Sequence, residues 1–276
     1  MQDLRGKVAV VTGAGSGIGR ALAEQLVKEG CALALADINA ETLQSLAAEL
    51  KSSGVRVTTH VLDVAKRAAV YAFADEVLAQ HGSAQLIINN AGVAVSQTVA
   101  ELTYDDFEWI MGINFWGVVY GTKAFLPHLL KNNEGHIVNV SSVFGIIAVP
   151  TQSAYNSSKF AVRGFTEALR EEVAQTNVRV SCVFPGGIKT NIARSARFYQ
   201  DMQGMQDPRR AAANFDKIAR TTPAEAALVI INGIKRDDPR ILIGADARLL
   251  DRVQRLVPAS YSRLLSKLSG VVRRKN

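Results

Sequence analysis

Six short runs of apolar, β-favouring residues recur along the first 190 residues, with helical patterns between them. Most runs are apolar almost without interruption, which is typical of strands that a parallel sheet buries on both faces. The intervening segments carry apolar residues three and four positions apart, as amphipathic helices do. The predicted strands are Val8–Thr12, Ala32–Ala36, Val55–Leu62, Leu86–Asn89, His136–Val140 and Val178–Phe184, and the clearest helices are Arg20–Glu29, Ala40–Ser52 and Ala68–Gln80. This order predicts an α/β fold, a single doubly wound parallel sheet.

The regular alternation ends near Thr190. Residues 191–220 mix aromatic, methionine and charged residues with no clear period, so we expect a mobile lid that closes over the substrate. A Thr-Pro-x-Glu sequence beginning at Thr222 then indicates the capped start of another helix. Arg240–Gly244 predicts a last short strand. One domain is therefore expected over residues 1–246.

A basic tail follows this domain, over residues 247–276. The net charge of the chain is +7, and residues 248–276 carry eight lysines and arginines against one aspartate, so the excess lies entirely in the tail. Leucines and valines recur there at helical spacing, with arginines between them. Three interpretations stay open: the tail packs on its own domain or a partner subunit, lies on an anionic membrane, or is a solvated extension.

The rest of the composition excludes several classes of protein. Apolar residues make up 48% and charged residues 21%, which is typical of a folded globular chain. Since the body of the chain is neutral, a nucleic-acid-binding surface there is not expected. The longest apolar runs, such as Ala32–Ala36, are too short to span a membrane, and the charged N-terminus does not resemble a signal peptide. Cys31 and Cys182 lie in apolar runs, as expected of reduced thiols in a cytoplasmic protein.

A glycine-rich turn, Thr12–Gly19, follows the first strand and opens the first helix. In that context glycines let the backbone approach a pyrophosphate, and the helix N-terminus offers free amides. Asp37 ends the next strand, where a carboxylate holds the ribose hydroxyls of adenosine and repels a 2′-phosphate. No basic residue stands at Ser16 or Ile38, which favours NAD(H) over NADP(H). An ordinary turn and a solvated aspartate are the alternatives.

Tyr155 and Lys159 are four residues apart and share one face of a predicted helix. An ammonium beside a phenol stabilises the tyrosinate and lowers its pKa, which suits the tyrosine to proton transfer near neutral pH. Ser142 ends the preceding strand and is placed to hydrogen-bond a substrate oxygen. A surface helix pair and a turn serine are the simpler interpretations of these residues taken singly.

Taken together, these motifs resemble the short-chain dehydrogenase/reductase family, from about Lys7 to Gly244. The matching features are the TGxxxGxG loop, Asp63-Val64, Asn89-Asn90-Ala91-Gly92, Asn114, Ser142, Tyr155, Lys159 and Pro185-Gly186-Gly187. The resemblance implies a Rossmann fold with NAD as the cofactor. It also implies a homodimer or homotetramer. The cysteines favour a cytoplasmic location, and the basic amphipathic tail is a candidate contact with the membrane periphery.

The resemblance assigns the cofactor contacts position by position. Gly13, Ser16, Ile18 and Gly19 would hold the pyrophosphate, Asp37 the adenosine ribose, Asp63 and Val64 the adenine, and Asn90, Ala91 and Gly92 the adenosine side. Tyr155 and Lys159 would bond the nicotinamide ribose, while Pro185, Gly186, Ile188 and Thr190 would contact the nicotinamide end. A turn or capping role remains the alternative for Asp63.

The resemblance further implies hydride exchange between nicotinamide and a secondary alcohol or ketone. Tyr155 would act as acid and base, Ser142 would polarise the oxygen, Lys159 would lower the pKa of the tyrosine, and Asn114 would hold a water in a proton relay. No metal is expected, because positioned donors polarise the oxygen. A non-catalytic NAD(H)-binding sensor or scaffold is the alternative, although the four catalytic positions are retained.

The substrate pocket is expected to be largely apolar, which suits a lipid-like or steroid-like substrate. Its proposed contacts are Ser142, Phe144, Gln152 and Tyr155. The wider wall is predicted from Val143, Ile146, Ile147 and Val149 and, beyond Thr190, from Ile192, Phe198, Tyr199, Met202 and Met205. Simple core packing is an equally good interpretation of the first group.

Overall fold

A seven-stranded sheet forms the centre of the molecule in the computed structural model, which describes residues 1–268. Its strands are β1 (Val8–Thr12), β2 (Ala32–Asp37), β3 (Val57–Val61), β4 (Leu86–Asn89), β6 (Gly135–Val140), β7 (Val178–Pro185) and β9 (Arg240–Ile243), all parallel in the order β3-β2-β1-β4-β6-β7-β9. The short strands β5 (Val95–Ser96) and β8 (Arg197–Phe198) pair separately. The predicted doubly wound α/β fold is confirmed.

Helices cover both faces of this sheet. They are α1 (Gly17–Lys28), α2 (Ala40–Leu50), α3 (Arg67–His81), α4 (Tyr104–Met111), α5 (Gly117–Asn132), α6 (Ser153–Glu172), α7 (Pro208–Ile218), α8 (Pro223–Arg236), α9 (Ala245–Leu256) and α10 (Tyr261–Leu268). Neighbouring residues of β1 serve opposite cores: Val11 packs with α1, α2 and α8, whereas Val10 packs with α3, α5 and α6. Burial on both faces explains why the strands are apolar without interruption.

The order of the strands creates the crevice in which a ligand can bind. The chain winds outward from β1 to β3 in one direction and then returns through β4 in the other. Loops that follow β1 and β4 therefore leave the sheet on opposite faces, and the carboxyl ends of these two strands border an opening. The glycine-rich turn and the Asn90–Gly92 segment both begin there.

The lid segment is more regular than the sequence analysis predicts. Its second half forms α7, whose first residue, Pro208, follows Asp207. The Asp207 side chain accepts hydrogen bonds from the amides of Arg209 and Arg210, at 2.9 and 3.2 Å. The expectation of an irregular segment over residues 191–220 is wrong for this helix, because an aspartate cap and a proline at the first helical position already indicate a helix start.

The tail forms two helices, and part of it packs on the domain. Ala247 is fully buried, and Leu250 and Tyr261 lie against a cluster that includes Phe184. The Tyr261 hydroxyl accepts a hydrogen bond from the amide of Ala148 at 3.0 Å. Over residues 1–268, no helix is long and apolar enough to cross a membrane.

Candidate active site

Ser142, Tyr155 and Lys159 lie together at the carboxyl end of β6. Ser142 follows the strand, while Tyr155 and Lys159 project from the first turns of α6. The Ser142 hydroxyl lies near the Tyr155 phenol, and Lys159 Nζ lies 5.7 Å from the centre of the Tyr155 ring. The exposed fractions of the three residues are 8, 9 and 3%. The structure thus brings together the predicted acid–base group, the oxygen-binding serine and the lysine.

Burial is the largest influence on the pKa values of Tyr155 and Lys159. It raises the pKa of Tyr155, and the hydrogen bond with Ser142 offsets that effect only in part. Burial also lowers the pKa of Lys159 from 10.5 to about 8. The net shift of the Tyr155 pKa is therefore upward, opposite to the lowering by Lys159 that the resemblance implied.

The Lys159 ammonium is held by the backbone of β6 as well as lying near the Tyr155 ring. Its Nζ donates to the carbonyl oxygen of Val140 at 3.0 Å. A Cβ placed on Gly92 would lie only 3.4 Å from this Nζ and 3.3 Å from Asn114 Oδ1, so the backbone of Gly92 passes close between them. The absence of a side chain at Gly92 leaves room beside the ammonium.

Asn114 lies in a π-helical turn, Gly112–Trp116, between α4 and α5. Its side chain accepts from the Val93 amide at 2.8 Å and donates to the Val93 carbonyl at 3.0 Å and to Ser158 Oγ at 3.1 Å. Both donor hydrogens of the amide are thus engaged, so a water bound by Asn114 would have to donate to a carbonyl oxygen of the side chain or the main chain. π-turns of this kind expose such carbonyls and are frequent at functional sites.

The glycine-rich turn has the shape that a pyrophosphate needs. Gly13 has φ +64°, and a Cβ there would lie 2.8 Å from Ala91 Cα, while a Cβ on Gly19 would overlap the carbonyl oxygen of Gly13. Asn90 Nδ2 ties the turn to β4 by donating to the carbonyl of Thr12 at 2.9 Å. The Ser16 side chain makes no cap hydrogen bond at the start of α1, next to Ile18. The first amides of α1 therefore remain available to an anion.

Asp37 lies beside this turn at the end of β2. Its carboxylate accepts from the Gly15 amide at 2.8 Å and from the Asn39 amide at 3.0 Å. The neighbouring Ile38 is exposed and apolar. A negative charge fixed here, with no cation at the adjacent position, fits the diol of a ribose and opposes a phosphate on it.

Asp63 and Val64, predicted to flank the adenine, follow β3. Asp63 caps a turn, because its carboxylate accepts from the Ala65 amide at 3.0 Å, so the alternative turn role is present. Val64 is buried and packs closely against Gly117 of α5. Both residues help to fix the edge of the crevice near Asp37.

The loop after β7 lies on the other side of the glycine turn. Thr190 approaches Gly17, whose added Cβ would lie 3.1 Å from Thr190 Cγ2. Ile188 is buried and forms an isolated bridge with Thr221. Pro185 ends β7, and the Gly186 amide donates to the Ile243 carbonyl at 3.0 Å. These residues lie where the nicotinamide end of a dinucleotide would extend.

Asp246 is a residue of this loop region that the sequence analysis missed. Its carboxylate accepts from the Gly187 amide at 2.7 Å, and a Cβ on Gly186 or Gly244 would overlap its oxygens. It thereby fastens the start of α9 to the loop after β7. The Gly186-Gly187 pair is the only local signal in the sequence, since glycines mark a close approach whose partner lies 59 residues away.

The space around Tyr155 is walled mainly by apolar side chains. Phe144 meets the tyrosine ring edge-on, with ring centres 6.0 Å apart. Gln152 precedes α6 and forms an isolated bridge with Gln97. The cluster around Tyr155 consists of Val93, Ala94, Val95, Leu102, Phe107, Trp109, Ile110, Phe144, Ala154 and Ile192. The segment from Val93 to Ile110 was missed, although it directly follows the Asn90–Gly92 motif.

Several predicted wall residues do not face this space. Val143, Ile146 and Ile147 belong to a separate core with Cys182 and Phe184, as the core interpretation allowed. Val149 packs at the edge of that core. Beyond Thr190, the side chains of Tyr199, Met202 and Met205 are between 41 and 44% exposed. Phe144 and Ile192 are therefore the predicted wall residues that border the Tyr155 cluster.

The lid segment is anchored in its first third. Arg197 forms an ion pair with Asp106 at 2.7 Å, and its guanidinium lies 3.7 Å from the centre of the Trp109 ring. The Tyr199 hydroxyl also donates to Asp106, and Ser96 Oγ donates to the Gln200 carbonyl at 2.7 Å. Burial raises the pKa of Asp106, but its hydrogen bonds more than offset this and lower it. The anchor holds β8 against β5.

Comparison with known proteins agrees with this geometry. Residues 7–200 match the family described as short chain dehydrogenase. SadH of Mycobacterium tuberculosis is 47% identical over 269 residues, which cover 96% of each chain. Estradiol 17-beta-dehydrogenase 11 of Pongo abelii is 32% identical, over 98% of this chain and 85% of that protein.

A solved structure of similar sequence points the same way. A short chain dehydrogenase/reductase from Burkholderia phymatum, crystallised in complex with NAD, superposes with a TM-score of 0.86 at 31% identity, over 94% of this chain and 96% of that one. Sequence and fold therefore agree along nearly the whole chain. The resemblance that the motifs predicted is confirmed: this chain belongs to the short-chain dehydrogenase family of oxidoreductases.

Proposed function

We propose that the protein is an NAD(H)-dependent oxidoreductase that interconverts a secondary alcohol and a ketone. The observation that carries this proposal is the buried Ser142–Tyr155–Lys159 cluster beside a glycine-rich turn. The turn, the α1 N-terminus and Asp37 fit a dinucleotide, and the loop after β7 fits its nicotinamide end. When bound there, the cofactor supplies or accepts the hydride.

The protein's own residues handle the oxygen and its proton. In carbonyl reduction, Tyr155 donates its phenolic proton to the substrate oxygen, while the hydroxyl of Ser142 orients and polarises that oxygen. In alcohol oxidation, Tyr155 must first be deprotonated, so we expect oxidation to accelerate as pH rises above neutrality. We propose that Lys159 and a water held by Asn114 pass the proton towards solvent.

The substrate is proposed to be bulky and apolar, of a lipid-like or steroid-like class. Support comes from the apolar side chains around Tyr155, among them Phe144, Ile192 and Trp109. The relative named estradiol 17-beta-dehydrogenase 11 also carries a steroid in its name. Gln152, near the end of this wall, is proposed as a polar contact. We further propose a homodimer or homotetramer in the cytoplasm.

Replacing Tyr155 by Phe tests the proposal. The ring and its packing on Phe144 remain but the transferable proton is lost, so turnover should fall at least about 1,000-fold while NADH binding persists. NADH absorbance with steroid and long-chain secondary alcohols reports turnover, and fluorescence titration reports binding. Tyr104→Phe is the matched control, because Tyr104 is 88% exposed.

Two results would contradict the proposal. Tyr155→Phe turnover above a few percent of the unaltered rate would remove the acid–base role. NADH binding without turnover of any alcohol or ketone by the unaltered protein would favour the non-catalytic sensor or scaffold.

A further inference from the structure

The helix α9 packs one side on the domain and leaves two leucines on the other side. It turns inward Ala247 and Asp251, which are buried, and Leu250, which packs against the cluster that includes Phe184. Leu249 and Leu256 point to solvent, with exposed fractions of 60 and 81%. Because these leucines are seven residues apart, they lie on one side of the helix two turns apart. A helix that served only to cover its domain would bury such side chains.

Buried contacts fix this orientation. Asp251 is 6% exposed and pairs with Arg240 at 2.6 Å and with Arg255 at 3.0 Å. Arg240 is itself held over the Phe184 ring, with its guanidinium 4.6 Å from the ring centre. Rotating α9 to bury Leu249 and Leu256 would break these pairs and expose Asp251. The outward leucines are therefore a consequence of strong inward contacts.

The outer face also carries unopposed positive charge. Arg252 lies between the two leucines on the helix surface, and Arg248 lies one turn before it. Within residues 1–268, neither guanidinium forms an ion pair. Asp251, the single acidic residue of 248–276, faces inward, so the outer face has no acidic neighbour on its own tail. Two leucines among cations require a partner that is both apolar and anionic.

We infer that this outer face, formed by Arg248, Leu249, Arg252 and Leu256, docks on the surface of an anionic phospholipid bilayer. Acyl chains accept the leucines, and headgroup phosphates accept the arginines. A second copy of the chain fits less well. In a two-fold contact through this face, its arginines would lie close to the same arginines of the other copy, and the like charges would repel. Nucleic acid offers phosphates but nothing that would take up the leucines. The inference goes beyond the proposed reaction and does not depend on the substrate.

Vesicle flotation of the full chain tests the inference. The protein should float with vesicles of phosphatidylglycerol and phosphatidylcholine at low salt, and not with phosphatidylcholine alone. Raising the salt to about 0.5 M should weaken binding at least about fivefold, through screening. Leu249→Ser with Leu256→Ser, and separately Arg248→Glu with Arg252→Glu, should each weaken it at least about tenfold.

Controls separate docking from loss of the fold. Val99→Ser, at an apolar site 75% exposed elsewhere on the molecule, should float like the unaltered chain. Both double variants should keep the unaltered circular dichroism and NADH affinity, since none of their residues is buried. Equal binding to neutral vesicles, or unchanged flotation of both double variants, would overturn the inference. So would a smaller oligomer in the serine variant by light scattering, because the face would then join copies of this chain.

Discussion

At the scale of single residues, the site places a weak acid and a weak base together in a desolvated space. Burial stabilises the neutral forms of both groups, so it raises the pKa of Tyr155 and lowers that of Lys159 to about 8. Holding the Lys159 ammonium protonated at pH 7 therefore costs folding free energy. An apolar side chain at this position would avoid that cost, so the site gives up folding stability for its chemistry.

Lys159→Met should consequently stabilise the protein while it abolishes catalysis. A pKa lowered from 10.5 to about 8 means that keeping Lys159 charged in the folded state costs roughly 3 kcal/mol. The substitution removes this cost but leaves the Val140 carbonyl without its hydrogen bond, which reduces the gain. We expect a net gain of about 1–3 kcal/mol at pH 7, read as a higher melting temperature. Lys51→Met, at an exposed lysine, should change little.

The pH dependence of that gain has a definite sign. Between about pH 8 and 10 the unfolded chain binds the Lys159 proton more tightly than the folded one, so this residue makes stability rise with pH. The rise should be absent from the Lys159→Met variant, and the two melting curves should converge near pH 9.5. A melting temperature lowered by the substitution at pH 7 would contradict the argument.

We propose that Asp37 sets the preference between NAD(H) and NADP(H). We predict higher kcat/KM with NAD(H) than with NADP(H), because the carboxylate held by the Gly15 amide repels a 2′-phosphate. Asp37→Ala should narrow the difference by about tenfold, and Asp37→Asn, which keeps an acceptor oxygen, should retain more NAD(H) affinity. Steady-state kinetics with both cofactors measures this. Equal efficiency with the two cofactors in the unaltered chain would refute it.

The residue-level predictions succeed where chemistry is encoded locally. Sequence spacing alone predicts that the two glycines of the turn, Gly13 and Gly19, lie together, because one turn contains both. It likewise predicts that Tyr155 and Lys159 lie together, because they share one helix face. Asp246 and Trp109 do not, since their roles depend on contacts with residues far along the chain, Gly187 and Arg197. The upward shift of the Tyr155 pKa could not be predicted from the sequence either, because the desolvation that causes it depends on the completed fold.

At the scale of elements, residues 191–220, which we propose as a lid, are anchored at β8 instead of forming one loose loop. The Arg197–Asp106 pair, 2.7 Å long and stacked on Trp109, holds β8 on β5. The parts before and after it, which include α7, lack an equivalent buried pair among the described contacts. We therefore expect their opening to be controlled from this point.

Arg197→Ala should loosen the lid. It leaves the buried Asp106 without its cation, so hydrogen exchange at Arg197–Phe198 and Val95–Ser96 should accelerate at least about tenfold. The KM for substrate should rise several-fold, with a smaller change in kcat. Arg236→Ala, at a surface pair with Asp238, serves as the control. Unchanged exchange in β5 and β8 would show that the ion pair does not anchor the lid.

Element prediction succeeded for strands buried on both faces and missed several short elements, among them β5, α4 and α7. Strands β1 and β4 were predicted with their observed bounds, because burial on both faces leaves no polar interruption. The helix α7 was missed, since Ala212 is its single buried residue and little packing shapes its sequence. The sequence shows its N-terminal cap, Asp207 followed by Pro208, but few apolar residues at helical spacing.

At the scale of the whole molecule, the tail is part of the domain that it follows. Deleting residues 247–276 removes Ala247 and Tyr261 from the core around Phe184 and leaves Arg240 without Asp251. We predict a loss of at least about 3 kcal/mol in unfolding free energy, by chemical denaturation. Leu249→Ser should leave that value within about 0.5 kcal/mol, because its side chain is exposed. An unchanged denaturation midpoint after deletion would show that the tail does not support the core.

The hydrogen bond from the Ala148 amide to the Tyr261 hydroxyl joins the tail to the segment that begins at Ser142. Through it, the last described helix contacts the segment that carries the proposed oxygen-binding serine. If a ligand that shifts α10 raises the affinity for substrate by some factor, bound substrate must raise the affinity for that ligand by the same factor. Substrate affinity measured with and without that ligand would therefore report the coupling in both directions.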